Sequence, residues 1–199
     1  MKKKILITGG AGYLGSKFCE YHLSINNIVH CLDNCLYNNG YSIKRLKKKK
    51  NFTFIKHDLK KKYVNKNLYD VVVIFAGLVG DPITKKYKKL SKEINLGGIK
   101  KIINYYKNKS LKLIFISTCS NYGFIKNKIA SEKTQLSPKS IYAKQKVLIE
   151  KYILSLKDKS KFCPIILRFA TAFGLSLRPR FDLTINEFVL NAFLKKNIE

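Results

Sequence analysis

Six runs rich in apolar and β-branched residues recur along the chain, at Lys4 to Thr8, Ile28 to Asp33, Phe52 to His57, Val71 to Ala76, Leu111 to Thr118 and Cys163 to Phe169, with helix-period segments between most of them. Runs that are continuously apolar, rather than alternating with polar residues, need cover on both faces of the sheet they form. Strands and helices taken in turn give a parallel sheet with right-handed crossovers. The fold class that meets both conditions is α/β, a doubly wound parallel sheet, which binds ligands at the carboxyl ends of its strands.

The helical segments carry their own signals. Leu14, Phe18, Tyr21 and Ile25 are spaced to form one apolar stripe. A second helix is expected from about Lys88 to Asn108, with Leu90, Ile94, Ile102 and Tyr106 inward; Gly97 and Gly98 either weaken it or let it approach the sheet closely. A third is expected to start at Ser137 as N-cap with Pro138 in the first helical position, carrying Ile141, Leu148 and Tyr152 on one side.

Composition removes several function classes. With 199 residues and 46% hydrophobic content, the chain can bury roughly 70% of its unfolded surface and needs neither disulfides nor metal to hold a core. Forty Lys plus Arg against 12 Asp plus Glu give a net charge of +28, yet the lysines are spread over nearly every segment. Only Lys47 to Lys50 and Lys60 to Lys62 form runs, and no aromatics interleave them. A solvated basic surface is expected, with weak salt-sensitive attraction to phosphates and no specific nucleic-acid partner. The longest apolar stretch, Val71 to Gly80, falls short of the roughly 20 residues of a membrane span. Ile5 to Ile7, behind Lys2 to Lys4, is cut off by Thr8-Gly9-Gly10, so a signal-peptide core is missing and a cytoplasmic location is expected. Cys19, Cys31, Cys35, Cys119 and Cys163 are odd in number and contain no C-x-x-C pair, which points to a reducing compartment and to no metal site.

Thr8-Gly9-Gly10-Ala11-Gly12-Tyr13-Leu14-Gly15 closes the first strand and opens the first helix, placing Gly9, Gly12 and Gly15 in G-x-x-G-x-x-G spacing. The first glycine permits the tight turn, the second admits a pyrophosphate to the backbone, and the third lets helix and strand pack closely. The helix N-terminus offers free N–H groups to the phosphates. Asp33 ends the second strand, 18 residues beyond Gly15, where a carboxylate can accept both ribose hydroxyls of an adenosine and repel a 2′-phosphate. NAD is therefore the expected cofactor, against which Lys44 and Arg45 nearby weigh in favour of NADP. Asp58-Leu59 follows the third strand toward an adenine, and the small residues of Phe75-Ala76-Gly77 end the fourth, where backbone can pass close to a dinucleotide.

Tyr142 and Lys146 form Y-x-x-x-K and stand one helical turn apart on one face. A lysine cation near a tyrosine hydroxyl lowers the phenol's pKa toward a value useful for proton transfer. Ser117-Thr118 ends the preceding strand, from which a hydroxyl can reach the same substrate oxygen.

Together these motifs resemble the extended short-chain dehydrogenases/reductases, and within them the NAD-dependent nucleotide-sugar epimerases and dehydratases. The resemblance covers Thr8 to Gly15, Leu32-Asp33-Asn34, Phe75-Ala76-Gly77-Leu78, Asn95, Ser117 to Gly123, Tyr142 to Lys146 and Leu167-Arg168-Phe169, in order along the whole chain. It implies a Rossmann sheet with Thr118, four residues before Tyr122, as the catalytic Ser/Thr, Tyr142 as acid/base and Lys146 on the nicotinamide ribose. It implies cofactor contacts from Tyr13, Leu14, Asp33, Asn34, Asp58, Leu59, Phe75, Ala76, Gly77, Leu78 and Asn95, and from backbone around Phe169 and Ala170. The implied reaction oxidises a sugar hydroxyl transiently by hydride transfer to NAD, on a nucleotide-sugar substrate, and a homodimer stays open.

Sugar 4,6-dehydratases of this kind place Asp-Glu after the catalytic Thr, whereas Cys119-Ser120 stand here. Epimerase or reductase chemistry is thereby favoured over elimination. Relatives usually continue for a hundred residues or more, so residues 1–175 are expected to form the NAD-binding domain and residues 176–199 the start of a substrate lobe that is largely missing. A fragment, a truncated product and half of a split protein all fit that length. Two non-enzymatic readings stay open: a degraded family member that binds NAD as a redox-sensing module without turnover, or a nucleic-acid-associated protein by virtue of its basic surface. The intact Thr118, Tyr142 and Lys146 set favours an enzyme.

Overall fold

The computed structural model describes residues 1–125 and 129–195. Its strands are β1 (Lys4–Thr8), β2 (Ile28–Asp33), β3 (Phe52–Lys56), β4 (Val71–Ile74), β5 (Lys112–Thr118) and β6 (Cys163–Phe169). They form one sheet in the order β3-β2-β1-β4-β5-β6, with every neighbouring pair parallel. The strand order reverses between β1 and β4, and the crevice at that switch point is where a sheet of this type holds its ligand.

Successive residues of a strand point to opposite faces, and both faces are covered. Leu6, Leu32, Val72, Ile74, Leu113 and Phe115 pack on one side with Ile99, Ile102, Ile103, Tyr106, Ile149 and Ile153 from the helices. Ile5, Ile7, Val29, Cys31, Val73 and Ile116 pack on the other with Cys19, Ile43 and Leu46. The expected α/β architecture follows directly from those doubly covered strands.

The helices correct several expectations. In α1 (Tyr13–Ser24) the buried residues are Tyr13, Gly15, Ser16 and Cys19, while Tyr21 and Ile25 are 58% and 51% exposed. Small residues face inward because this helix starts within touching distance of the turn that precedes it; a Cβ on Gly15 would lie 2.2 Å from the Gly9 carbonyl oxygen. The expected Lys88-to-Asn108 helix is built as α3 (Lys88–Lys92), a π-helical turn at Glu93–Gly98, and α4 (Ile99–Tyr106). Gly98 serves close packing, since a Cβ there would meet Leu59 at 2.6 Å, whereas Gly97 faces open space. A short helix, α2 (Asp81–Lys86), precedes it with Pro82 in its first turn.

The third expected helix, α5 (Ile141–Ser155), is capped by Ser140 rather than Ser137: the Ser140 hydroxyl accepts from the Ala143 N–H at 3.1 Å. Ser137 instead donates its N–H to the Asn121 carbonyl, beside Gly123, where a side chain would collide with the Ser137 carbonyl. Leu148 is exposed, and the buried face carries Ala143, Val147, Ile149 and Ile153 together with the polar Gln145, Lys146 and Glu150. An apolar-only reading of that helix misassigns its face because its inward polar residues all find partners. The last element among the described residues is α6 (Thr184–Lys195). The connection before α6 is tied to α1: the Tyr13 hydroxyl donates to the Gly174 carbonyl at 2.7 Å, Asn186 Nδ2 donates to the Tyr13 hydroxyl at 3.0 Å, and Leu177 packs on the α1 side of the sheet. Residues 196–199, the end of the expected lobe, lie outside the described residues.

Candidate active site

A cavity of about 780 Å3 runs along the carboxyl ends of the strands. At its centre lies the turn after β1. Gly9 has φ +73°, and a Cβ there would be 2.6 Å from the Ala76 nitrogen, so the turn and the end of β4 are in contact. No side chain caps α1, whose opening residues Gly12, Tyr13, Leu14 and Gly15 line the cavity. An uncapped helix start of this kind offers N–H groups and a favourable dipole to an anion.

Asp33 lies at one end. Its Oδ2 accepts from the Ala11 N–H at 3.1 Å and its Oδ1 from the Cys35 N–H at 2.8 Å. Burial raises its pKa, opposed by those N–H groups and by the Arg178 charge. The turn is braced from behind, as Asn39 Nδ2 and the Ser42 hydroxyl both donate to the Ala11 carbonyl, at 2.7 and 2.8 Å. Asn39 also lines the cavity, and its Oδ1 is buried without a partner. Asn34, Asp58, Leu59, Phe75, Ala76, Gly77 and Leu78 line the same space. Arg45 turns away to Glu20 at 2.8 Å, and neither it nor Lys44 lines the cavity.

At the other end Thr118, Tyr142 and Lys146 converge with Phe169 and Ala170. Ser117 and Thr118 are sorted by their partners. The Ser117 hydroxyl donates to the buried Glu150 carboxylate, whereas among the described residues the one partner of Thr118 Oγ1 is the Ser120 N–H, from which it accepts at 3.2 Å, so its proton is available to a ligand. Lys146 Nζ donates to the Ile116 carbonyl at 2.7 Å and stands 5.7 Å from the centroid of the Tyr142 ring. Burial lowers the Lys146 pKa to about 8, with Glu150 acting in the opposite sense. Burial pushes Tyr142 up to about 12, with Arg180 lowering it and Asp81 and Cys119 raising it. The direction for Tyr142 is opposite to the expectation from Lys146, because the ammonium is engaged with Ile116 and desolvation of the phenol dominates.

Glu150 holds this end together. It is 1% exposed; Arg168 donates to it from Nε at 3.1 Å and from Nη2 at 2.7 Å, and Asn121 Nδ2 donates at 2.7 Å. Residues on both sides of Thr118 are thus anchored to one carboxylate, one turn beyond Lys146. Of the residues expected to contact a cofactor, all but Asn95 line the cavity. Asn95 is buried behind it, bonded to the Leu78 main chain. Sequence reasoning missed Tyr37, His57, Arg178, Arg180 and Asp182, which also line it. The Arg178 guanidinium lies 5.1 Å from the Tyr37 ring centroid, and Arg180 pairs with Asp182 at 2.5 Å. The signal for these was the Arg178-Pro179-Arg180 cluster, which no spacing rule connects to the glycine turn.

The chain is similar to known proteins over almost its full length. An uncharacterized UDP-glucose epimerase, YtcB, from Bacillus subtilis (strain 168) is 31% identical, aligned over 88% of this chain and 58% of its own length. The UDP-glucuronic acid 4-epimerase of Bacillus cereus, solved with UDP-glucuronic acid and NAD, superposes with a TM-score of 0.82 at 26% identity, covering 96% of this chain and 63% of that one. The UDP-N-acetylglucosamine 4-epimerase of Methanobrevibacter ruminantium M1, solved with UDP-N-acetylmuramic acid, gives 0.81 at 27% identity, covering 99% and 64%. The chain therefore spans about three fifths of the length of these relatives. The model of the NAD dependent epimerase/dehydratase family matches residues 5–198, nearly the whole chain, and the chain belongs to that family.

Proposed function

We propose that the protein binds NAD and uses it to invert a hydroxyl-bearing carbon of a nucleotide sugar, as an epimerase. The observation that carries this reading is the convergence of Thr118, Tyr142 and Lys146 at one end of a cavity whose other end is built by Gly9, Gly12, Gly15 and Asp33. Those residues fit a dinucleotide: side chains at Gly9 and Gly15 would collide with the backbone just past β4 and of the turn itself, so the turn keeps its shape only with glycine there, and both Asp33 oxygens are oriented by backbone N–H groups while retaining lone pairs for ribose hydroxyls. NAD, when bound, supplies a hydride acceptor that can later return the hydride.

The chain's own groups do the rest. Thr118 Oγ1 donates to the sugar oxygen and holds it beside Tyr142. Tyr142 as the phenolate takes the sugar's hydroxyl proton and as the phenol returns it, and for that its pKa must fall from about 12. Arg180 already acts in that direction, and a Lys146 ammonium drawn from Ile116 toward a ribose would add to it. Cys119 and Ser120 line the cavity where elimination would need a carboxylate pair. That favours epimerisation over dehydration. Five free thiols suit a reducing cytoplasm, and no helix among the described residues is long and apolar enough to cross a membrane.

The test is chromatographic conversion of UDP-glucose, UDP-glucuronic acid and UDP-N-acetylglucosamine to their C4 epimers in the presence of NAD. The 199-residue chain alone should bind NAD and turn over sugar poorly, because it spans about three fifths of its relatives' length; with a full substrate lobe, conversion is expected for at least one of these sugars, and Tyr142→Phe should abolish it while leaving NAD affinity nearly intact. NAD binding without conversion even with that lobe would favour a dinucleotide-binding module; no NAD binding would overturn the proposal.

A further inference from the structure

The loop between β4 and α2 starts against the glycine turn, where Ala76 meets Gly9, and ends beside the reactive helix, where Asp81 acts on Tyr142. Gly77, Leu78, Val79 and Gly80 line the cavity between those points. The position of this loop relative to α5 therefore sets the room available between the two ends of the site.

A buried chain of side-chain amides fixes that position. Asn95 Oδ1 accepts from the Leu78 N–H at 2.8 Å, and its Nδ2 donates to the Leu78 carbonyl at 3.0 Å. The second hydrogen of that Nδ2 goes to Gln145 Oε1 at 2.8 Å. Gln145 Nε2 donates in turn to the Ser91 hydroxyl at 3.0 Å, which donates to the Lys88 carbonyl at 2.9 Å. The polarity of the chain is single-valued. Lys88 can only accept, so Ser91 spends its proton there and takes one from Gln145, whose oxygen is then left facing Asn95. Asn95, Gln145 and Ser91 are each at least nine-tenths buried, so no water competes for these bonds. Asn95 sits in the π-helical turn Glu93–Gly98, a distortion found disproportionately at functional positions. Gly77 gives the amide its space, as a Cβ there would lie 2.9 Å from Asn95 Oδ1.

We propose that Gln145 is a positioning residue which, through Asn95, holds the Gly77–Gly80 loop at a fixed distance from the helix carrying Tyr142 and Lys146. It lies outside the cavity lining and touches no ligand itself. Its effect falls on the nicotinamide end of a dinucleotide and not on the adenosine end, which Asp33 and the glycine turn hold independently. This inference rests on the dinucleotide reading above.

The experiment compares NAD with ADP, which occupies the adenosine end alone, by calorimetry on the full chain and on Gln145→Leu. The substitution keeps the volume and removes both amide bonds. NAD should weaken about ten-fold, the effect of losing one net hydrogen bond, while ADP binding stays unchanged. Ser91→Ala removes only the outer bond and should give a smaller loss of the same kind, which keeps the test valid if Gln145→Leu unfolds. Equal weakening of NAD and ADP, or no change for NAD in either folded variant, would overturn the inference alone. Failure of the unaltered chain to bind either nucleotide would overturn the dinucleotide reading, and this inference with it.

Discussion

Removing the Glu150 carboxylate should cost more than any other single change near the site. Its side chain is 2% exposed and that of its partner Arg168 18% exposed, so neither charge has much water to fall back on. Glu150→Ala strands the Arg168 guanidinium, leaves Ser117 Oγ without its acceptor and removes one of the two acceptors of Asn121 Nδ2. Breaking one partner of a buried pair costs about 3 to 5 kcal/mol. The hydroxyl and amide losses overlap with that figure rather than adding to it, because all three donors share one acceptor. Against a total stability of about 5 to 15 kcal/mol for a domain, the variant should be marginal. Glu150→Gln keeps an oxygen for Ser117 and Asn121 and should cost about 2 to 3 kcal/mol, chiefly the unpaired charge. The informative variant is the pair Glu150→Gln with Arg168→Met, which removes both charges and retains volume. It should be more stable than the sum of the two single variants by at least about 1.5 kcal/mol. Urea denaturation followed by circular dichroism measures all four members of the cycle. Strict additivity, or a Glu150→Ala cost below about 1 kcal/mol, would refute the claim that this carboxylate is the anchor of the Thr118 end.

Further consequences concern charge and space at the two ends of the cavity. Asp33→Ala should weaken NAD by about 1 to 3 kcal/mol, the range for hydrogen bonds to a charged group, and calorimetry reads it directly. Burial holds the folded pKa of Lys146 at about 8, below the ordinary lysine value of 10.5; the native state therefore holds its proton less tightly than the unfolded chain, and the contribution of this group to stability is full above about pH 10.5 and lost as pH falls through about 8. Lys146→Met should flatten stability between those limits and raise it near pH 7 by about 2 kcal/mol, the desolvation cost less the bond to Ile116, while weakening NAD. Gly15→Ala should cost at least about 1 to 3 kcal/mol in a urea melt, since its Cβ would meet backbone rather than a movable side chain.

What could be read beforehand followed from local spacing. Gly9, Gly12 and Gly15, Asp33 and the Tyr142–Lys146 pair each sit within one strand-turn-helix unit or one helical turn, where sequence distance translates into spatial distance. The doubly covered strands were equally legible, because burial on both faces leaves no polar alternation. The inward face of α5 was not, since Gln145, Lys146 and Glu150 are buried through partners on other elements, and hydrophobic periodicity counts them as solvent-facing. The α1 stripe failed for a related reason: contact with the glycine turn selects small residues over large apolar ones. Arg178 and Arg180 reach the cavity from beyond β6, and the role of Asn95 behind Leu78 depends on a π-helical turn. The Arg178-Pro179-Arg180 cluster has no spacing that ties it to the glycine turn, and a π-helical turn has no sequence period of its own.

A dinucleotide site with Asp33 at its ribose should select for a free 2′-hydroxyl. Calorimetric titration of the chain with NAD and separately with NADP tests it most directly. One NAD should bind per chain, with NADP at least about ten-fold weaker because its 2′-phosphate meets the Asp33 carboxylate. No binding of NAD, or equal affinity for the two, would contradict it.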